Sequence, residues 1–148
     1  PGALKQMVAA YEELGGNILL TEEVPRERTA SYGVITPGET RDGAVEVQGL
    51  VEKPQPENAP SNLAVIGRYI LQPEIMEVLD AQEQGAGGEI QLTDAMAKLI
   101  GKQPFHAVKS GSARHDCGDK AGFVLANLAL GLADPDVAPK LREFLHGV

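Results

Sequence analysis

One short stretch, an apolar run that ends in an acid, a base and a proline, limits what this chain can fold into more than any other. Leu50–Val51 favour a β-strand. Pro54 has no backbone N–H and disfavours helix at the preceding residue, so we expect the strand to end near Glu52 with Lys53 extended. Glu52 and Lys53 would then lie at the carboxyl end of a strand, where open α/β sheets bind ligands.

The pair Glu52 and Lys53 has two interpretations. Neighbouring residues of a strand point to opposite faces, so the two side chains need not form a salt bridge. The carboxylate is then free to accept ligand hydroxyls while the ammonium meets a phosphate. The alternative is an ordinary acid and base on the surface, and so short a motif leaves both interpretations open.

Composition restricts the class of protein. The 148 residues, 43% of them hydrophobic, suffice for one domain with a core of its own. A formal net charge of −8 argues against nucleic-acid or anionic-membrane partners.

The single cysteine, Cys117, excludes an intrachain disulfide and fits a reducing compartment such as the cytoplasm. No apolar run approaches the roughly 20 residues of a membrane span. The first residue is Pro1, without Met or a signal peptide, so we expect a fragment or a trimmed product.

The order of the predicted elements indicates a layered α/β fold. Strands are predicted around Ile18–Leu20, at 32–36 and 44–52 as a hairpin, at 63–71 and at 105–109, with turns at Pro37-Gly38 and 41–43. Helices are predicted at 4–14, 73–80, 89–100 and 120–132, and from Asp134-Pro135 onward.

The apolar residues of these helices predict which faces are buried. In the first helix they are Leu4, Met7, Val8, Tyr11 and Leu14; in the second Ile75, Met76 and Leu79; in the third Leu92, Ala95, Met96 and Leu99. The fourth helix is apolar on most sides, so we expect it to be well buried. In the last helix Val137, Leu141, Phe144 and Leu145 are expected to pack inward.

Two glycines and one polar loop are further candidates for a site. Gly33, early in a strand, indicates either a bulge or a close approach by a ligand, and Gly67 interrupts a strand where a bulky side chain will not fit. In His115-Asp116-Cys117 the ligand number is too small for zinc, and nothing demands a Cys–His nucleophile, so a small buried Cys117 is expected. Asp116 alone can ligate magnesium, with an ordinary loop aspartate as the alternative.

Several motifs occur in a fixed order along the chain. They are Tyr32-Gly33-Val34, Val51-Glu52-Lys53-Pro54, Pro60-Ser61-Asn62-Leu63-Ala64, Ile66-Gly67-Arg68-Tyr69, Gly88-Glu89-Ile90-Gln91-Leu92-Thr93-Asp94-Ala95 and His115-Asp116-Cys117-Gly118-Asp119-Lys120. Together they resemble the bacterial UTP–glucose-1-phosphate uridylyltransferases (UDP-glucose pyrophosphorylases), within the sugar nucleotidyltransferases. The resemblance covers essentially the whole chain but only the C-terminal half of such an enzyme.

The resemblance implies a fold and a reaction. The fold is a Rossmann-like α/β sandwich, a mixed sheet flanked by helices, of which residues 1–148 form the C-terminal half of one domain, with C-terminal helices at about 119–146. The reaction makes UDP-glucose and pyrophosphate from UTP and glucose 1-phosphate. Family members are commonly dimers or tetramers, so a homo-oligomer is implied as well.

The resemblance also implies roles for single residues. Lys53 contacts the sugar phosphate and orients it for attack, Glu52 holds glucose hydroxyls, and Gly33 lies against the sugar. Asp116 is one of two aspartates that hold Mg²⁺. The segments from Asn62 to Gly67 and from Glu89 to Asp94 shape the sugar pocket.

The family's glycine-rich nucleotide loop and first metal aspartate do not occur in these residues. We therefore expect this polypeptide alone to bind UTP poorly and not to turn over, and we expect the missing N-terminal half of the same chain to be its partner. Two alternatives stay open at this point. One is a non-catalytic sugar-phosphate-binding or assembly module, and the other is a sister nucleotidyltransferase for another nucleotide or sugar.

Overall fold

A computed structural model describes residues 2–81, 89–111, 113–115 and 117–147, which form two compact units, one within residues 1–112 and one within residues 113–148. The elements of the first unit are α1 (Ala3–Leu14), β1 (Asn17–Glu23), β2 (Gly33–Arg41), β3 (Ala44–Glu52), β4 (Leu63–Ile70), α2 (Glu74–Asp80), α3 (Leu92–Leu99) and β5 (Phe105–Lys109), with 3₁₀ turns at Arg26–Ser31 and Pro56–Asn58. The second unit holds α4 (Lys120–Ala133) and α5 (Ala138–His146).

The five strands form one mixed sheet. Their hydrogen-bonded order is β1-β4-β2-β3-β5, and β5 returns to pair in parallel with β1, so the sheet is closed. The other neighbouring strands are antiparallel. A mixed sheet flanked by helices agrees with the predicted α/β class, whereas no sequence pattern predicts that the sheet closes.

The β2–β3 hairpin is longer than predicted and bent. The predicted turn at Pro37-Gly38 is wrong, because β2 continues through these residues to Arg41. The pairing register shifts on both sides of Pro37, which has no N–H to give to the ladder. The base of the bent hairpin pairs with β4 at Val34, and its tip pairs with β5 at Ala44.

Strand β1 is buried on both faces, as its continuous apolar run predicts. Leu19 belongs to a core with Ile35 and Phe105, which α2 and α3 cover with Ile75 and Met96. Ile18 and Leu20 point to the opposite face, where Met7 of α1 packs on them. The two faces of one strand therefore position helices on both sides of the sheet.

The predicted inward faces of α1 and α2 are confirmed only in part. Met7 is fully buried, but Leu4, Val8 and Tyr11 are 66%, 40% and 38% exposed. The contacts of α1 instead run through Ala3, Met7 and Ala10, because small residues let the helix approach the sheet closely. On α2, Ile75 is buried while Met76 is 66% exposed.

Two helices begin later than predicted. Helix α3 begins at Leu92 rather than at Glu89. Helix α5 begins at Ala138, because the Asp134 carboxylate accepts the backbone N–H groups of Asp136 and Val137 and holds the preceding residues in a turn.

The prediction that the helix at 120–132 is well buried is wrong for the described residues. Phe123, Leu125 and Leu130 of α4 are 58%, 62% and 65% exposed, and Ala126 is its buried residue. Within this unit α4 packs against α5. Phe144 and Leu145 of α5 are exposed as well. Among the described residues, no helix is both long and apolar enough to cross a bilayer.

Candidate functional site

The strand exit predicted from the sequence exists. Strand β3 ends at Glu52, which lies opposite Gly33 in the antiparallel register with β2. One residue further, the backbone N–H of Lys53 donates to the carbonyl oxygen of Tyr32 at 2.9 Å. Glu52 and Lys53 therefore leave the sheet beside the start of β2.

The backbone of Lys53 contradicts the extended conformation predicted for it. Its φ is +46°, in the left-handed region, which costs an L-residue about 1–2 kcal/mol. Lys53 nevertheless keeps its backbone hydrogen bond to Tyr32, and Pro54 is buried. Tertiary contacts therefore stabilise a positive φ that local preferences disfavour. The usual alternation of side chains is interrupted at this residue.

The side chains of Glu52 and Lys53 consequently converge. Lys53 Nζ lies 3.8 Å from Glu52 Oε1, within ion-pair distance. The Glu52 side chain is only 16% exposed, whereas that of Lys53 is 61% exposed. A mostly buried carboxylate thus lies beside an ammonium group that solvent or a ligand can reach.

Thr93, from the first turn of α3, completes the surroundings of the carboxylate. Its Oγ1 donates to Glu52 Oε2 at 2.6 Å, and its side chain is buried. The resemblance connects the segment from Glu89 to Asp94 with the site, but no sequence pattern selects Thr93 within it. The sequence signal that could have identified Thr93 is a β-branched hydroxyl residue on the inward face at the start of an amphipathic helix.

Gly33 meets both of these residues. A Cβ at this position would lie 3.2 Å from Glu52 Oε2 and 3.3 Å from Thr93 Oγ1, closer than most Cβ contacts. The register shifts of β2 lie at residues 36–40 and not at Gly33, so the bulge interpretation is wrong here. The glycine permits a close approach between strand, carboxylate and helix.

Tyr69, in β4, is a further residue that the sequence analysis did not select. Burial raises the pKa of its phenol above the usual 10.0, and the negative charge of Glu52 raises it further. In the sequence, only its place in the motif Ile66-Gly67-Arg68-Tyr69 points to a role.

Gly67 lies within β4, and Asn62 immediately precedes that strand. Gly67 has φ +68° and no atom within 4 Å of the position that a Cβ would occupy, so backbone conformation, rather than lack of space, requires the glycine. It lies where the pairing of β1 with β4 is irregular, between Val65 and Tyr69. Asn62 is exposed, and its carbonyl oxygen accepts the N–H of Val24 at 3.0 Å.

The predicted metal ligand, Asp116, lies outside the described residues. Of its neighbours, His115 and Cys117 are both exposed, so the expectation of a buried Cys117 is wrong. Within the described part of the chain, no group of three or more His, Cys, Asp or Glu side chains is arranged to hold a metal ion. The geometry leaves a metal at Asp116 as a prediction.

Comparison with known proteins gives the family. The family model described as "Nucleotidyl transferase" matches residues 2–131. This chain belongs to that family. The UTP–glucose-1-phosphate uridylyltransferase of Komagataeibacter xylinus is 54% identical over 115 residues, which are 78% of this chain and 40% of that protein. The protein of the same name from Staphylococcus epidermidis is 43% identical over 143 residues, 97% of this chain and 50% of that one. The chain spans about half the length of the curated relatives it matches.

Solved structures show the same likeness. A UDP-glucose pyrophosphorylase complexed with UDP-glucose superimposes with a TM-score of 0.81 at 40% identity, covering 88% of this chain and 50% of that chain. A UTP-bound enzyme from Acinetobacter baumannii gives a TM-score of 0.80 at 33% identity, covering 96% and 49%. The predicted resemblance and fold class of this nucleotidyl transferase chain are thereby confirmed.

Proposed function

We propose that this chain is the sugar-phosphate-binding half of a UTP–glucose-1-phosphate uridylyltransferase. The reaction transfers the uridylyl group of UTP to glucose 1-phosphate and releases pyrophosphate. The observation that carries the proposal is the convergence of Glu52 and Lys53, 3.8 Å apart, at a strand exit beside Gly33. The names of relatives that are 54% and 43% identical support the choice of nucleotide and sugar.

The proposed roles follow from charge and exposure. The exposed ammonium of Lys53 suits a phosphate ester, while the sheltered carboxylate of Glu52 suits sugar hydroxyls. Gly33 would lie against the sugar beside Glu52, because the missing Cβ lets Glu52 and Thr93 approach the backbone closely. On this proposal Asn62 and Gly67 shape the neighbouring wall at β4.

Lys53 is the proposed catalytic residue because nucleotidyl transfer depends on alignment and charge neutralisation. A phosphate oxygen of glucose 1-phosphate attacks the α-phosphorus of UTP, the bond from that phosphorus to the bridging oxygen breaks, and pyrophosphate leaves with the electron pair. Lys53 would orient the attacking phosphate and offset part of its charge. No proton needs to be removed from this nucleophile, so the scheme needs no general base.

We also propose a divalent ion, Mg²⁺, with Asp116 as a ligand from this chain. One carboxylate fits the chemistry of that ion, which usually takes one or two carboxylates together with phosphate oxygens and water. When bound, it would supply charge neutralisation at the nucleotide phosphates. The support is the residue type alone, since Asp116 is outside the described residues.

Three further proposals concern the protein's surroundings. Exposed apolar side chains such as Phe123, Leu130 and Phe144 support self-association as a homo-oligomer. The net charge of −8 supports substrates rather than nucleic acid or a membrane as partners. The free, exposed Cys117 supports a reducing, cytoplasmic location.

The reaction is tested on the longest natural polypeptide that contains these residues. We expect uridylyl transfer from UTP to glucose 1-phosphate at a kcat/KM at least about tenfold above that of dTTP or of other hexose 1-phosphates. A preference for dTTP would support the sister enzyme instead. Binding of glucose 1-phosphate without any transfer would support the non-catalytic module. The 148-residue chain alone is expected not to turn over, and robust transfer by it would contradict that expectation.

The role of Lys53 is tested by Lys53→Ala in the same polypeptide. Loss of one charged contact to the phosphate should raise the KM of glucose 1-phosphate about 10- to 100-fold, with the KM of UTP changed less than about threefold. Lys102→Ala, an exposed lysine in the turn after α3, is the control and should leave both constants unaltered. Unchanged kinetics in Lys53→Ala would remove Lys53 from the site.

A further inference from the structure

Thr93 contacts the carboxylate of Glu52, and the residue roles proposed above do not include it. We propose that Thr93 is a positioning residue, which holds one carboxylate oxygen of Glu52 so that the other faces Lys53 and a bound sugar phosphate. This inference rests on the proposed function, because it assigns Thr93 a role in the binding of that substrate.

The argument begins with the two oxygens of Glu52. Oε2 accepts the hydroxyl of Thr93 at 2.6 Å, a distance typical of a hydroxyl bound to a carboxylate. Oε1 lies 3.8 Å from Lys53 Nζ. The terminal torsion of a glutamate is intrinsically broad, so a donor on one oxygen is needed to select one orientation of the other.

The donor itself is held firmly. Thr93 is buried in the first turn of α3, a helix whose next inward residues, Ala95 and Met96, are fully buried in the core. A β-branched side chain has few χ1 rotamers, so its hydroxyl has little freedom once the helix is packed. A mobile surface hydroxyl could not align the carboxylate in this way.

Gly33 closes the opposite side. A Cβ built on Gly33 would lie 3.2 Å from Oε2 of Glu52, so any side chain at this position of β2 would crowd the oxygen that Thr93 holds. Helix α3 and strand β2 thus enclose Oε2 from two directions. Oε1, on the side of the exposed Lys53 ammonium, is the oxygen left for a ligand hydroxyl.

A purely structural role for Thr93 makes different predictions. Thr93→Val keeps the shape but removes the hydroxyl, whereas Thr93→Ser keeps the hydroxyl but removes a methyl group. If Thr93 only fills space, valine should be tolerated and serine should be harmful. If Thr93 positions Glu52, valine should impair ligand binding and serine should rescue it.

The experiment titrates the 148-residue chain with glucose 1-phosphate at millimolar concentrations by NMR. We expect Thr93→Val to weaken binding about tenfold and Thr93→Ser to remain within about threefold of the wild type. Thr40→Val is the matched control, because Thr40 is exposed near the far end of the hairpin, and it should bind like the wild type. In the longest natural polypeptide the same Thr93→Val change should raise the KM of glucose 1-phosphate and spare that of UTP.

The outcomes separate this role from the proposed function. Binding that Thr93→Val retains, or that Thr93→Ser loses equally, would overturn the role and leave the proposed function intact. Absence of binding by the wild-type chain would refute the proposed function and this role with it. If Thr93→Val does not fold, Thr93→Cys takes its place. The cysteine side chain is similar in size to that of serine, but its thiol is a weak hydrogen-bond donor. The cysteine variant should then bind about tenfold more weakly than the serine variant, and equal binding would overturn the role.

Discussion

Both ends of the β2–β3 hairpin contain a non-glycine residue with positive φ, but for different reasons. At the tip, Asp42 has φ +51° and is followed by Gly43 at φ +79°, the residue pair that a tight hairpin turn favours. At the base, Lys53 has φ +46° before a proline, which no local preference explains. The base is also where Glu52 meets Thr93. The comparison teaches that unexplained strain marks the end of the hairpin where the site residues meet.

The charged pairs at the two ends also differ. At the tip, Arg41 and Glu39 form an ion pair of 2.6 Å with side chains 77% and 70% exposed. At the base, Glu52 is 16% exposed and is held by Thr93 as well as facing Lys53. Two open cavities of about 380 Å³ and 490 Å³ lie toward the tip and share Glu46 and His106, and neither is lined by Glu52. The arrangement of charges at the base therefore depends on a few side chains that contact one another.

The largest expected effect is at the base. Gly33→Val should lower the free energy of unfolding by about 2 kcal/mol, because its side chain would overlap Glu52 Oε2 and Thr93 Oγ1. Urea denaturation measures the change, and glucose 1-phosphate binding should weaken in parallel. Gly2→Ala, with nothing within 4 Å of its Cβ position, is the control. Equal stability of the two variants would show that the base is not tightly packed.

A smaller effect on stability should distinguish Lys53 from Asp42, the residues with positive φ at the base and at the tip. Lys53→Gly should raise the free energy of unfolding by about 0.5–1 kcal/mol, because glycine tolerates positive φ, while it abolishes the ammonium contact. Asp42→Gly should change it by less than about 0.5 kcal/mol, because aspartate already tolerates that conformation. Thermal or urea unfolding of both variants makes the comparison. Destabilisation by Lys53→Gly would mean that the base carries no strain.

The smallest effect is expected from the ion pair at the tip. Arg41→Ala should change the free energy of unfolding by less than about 0.5 kcal/mol, because an exposed pair gains little over its hydration. Urea denaturation at low and at high salt tests this, with the wild-type chain as reference. A loss above about 1 kcal/mol that disappears in high salt would make the tip as dependent on charge as the base.

Much of the fold could be predicted because its signals are local. The glycines after α1 and the apolar runs of β1, β4 and β5 set those elements to within a few residues of where the structure has them. The buried faces were harder to predict. Val8 and Tyr11 share a face with Met7 by periodicity, yet only Met7 is fully buried, because the width of the contact depends on the partner surface. Periodicity likewise does not show that Phe123, Leu125 and Leu130 of α4 are exposed.

The sequence by itself determined that a strand ends near Glu52, that Gly33 lies early in its neighbour and that Pro54 stops the run, because these follow from side-chain shape and backbone chemistry over a few residues. Only the tertiary structure decided that Lys53 is left-handed and that Thr93 donates to Glu52 from 41 positions away. Strand register and helix packing bring such residues together, and both are set by contacts across the whole sheet.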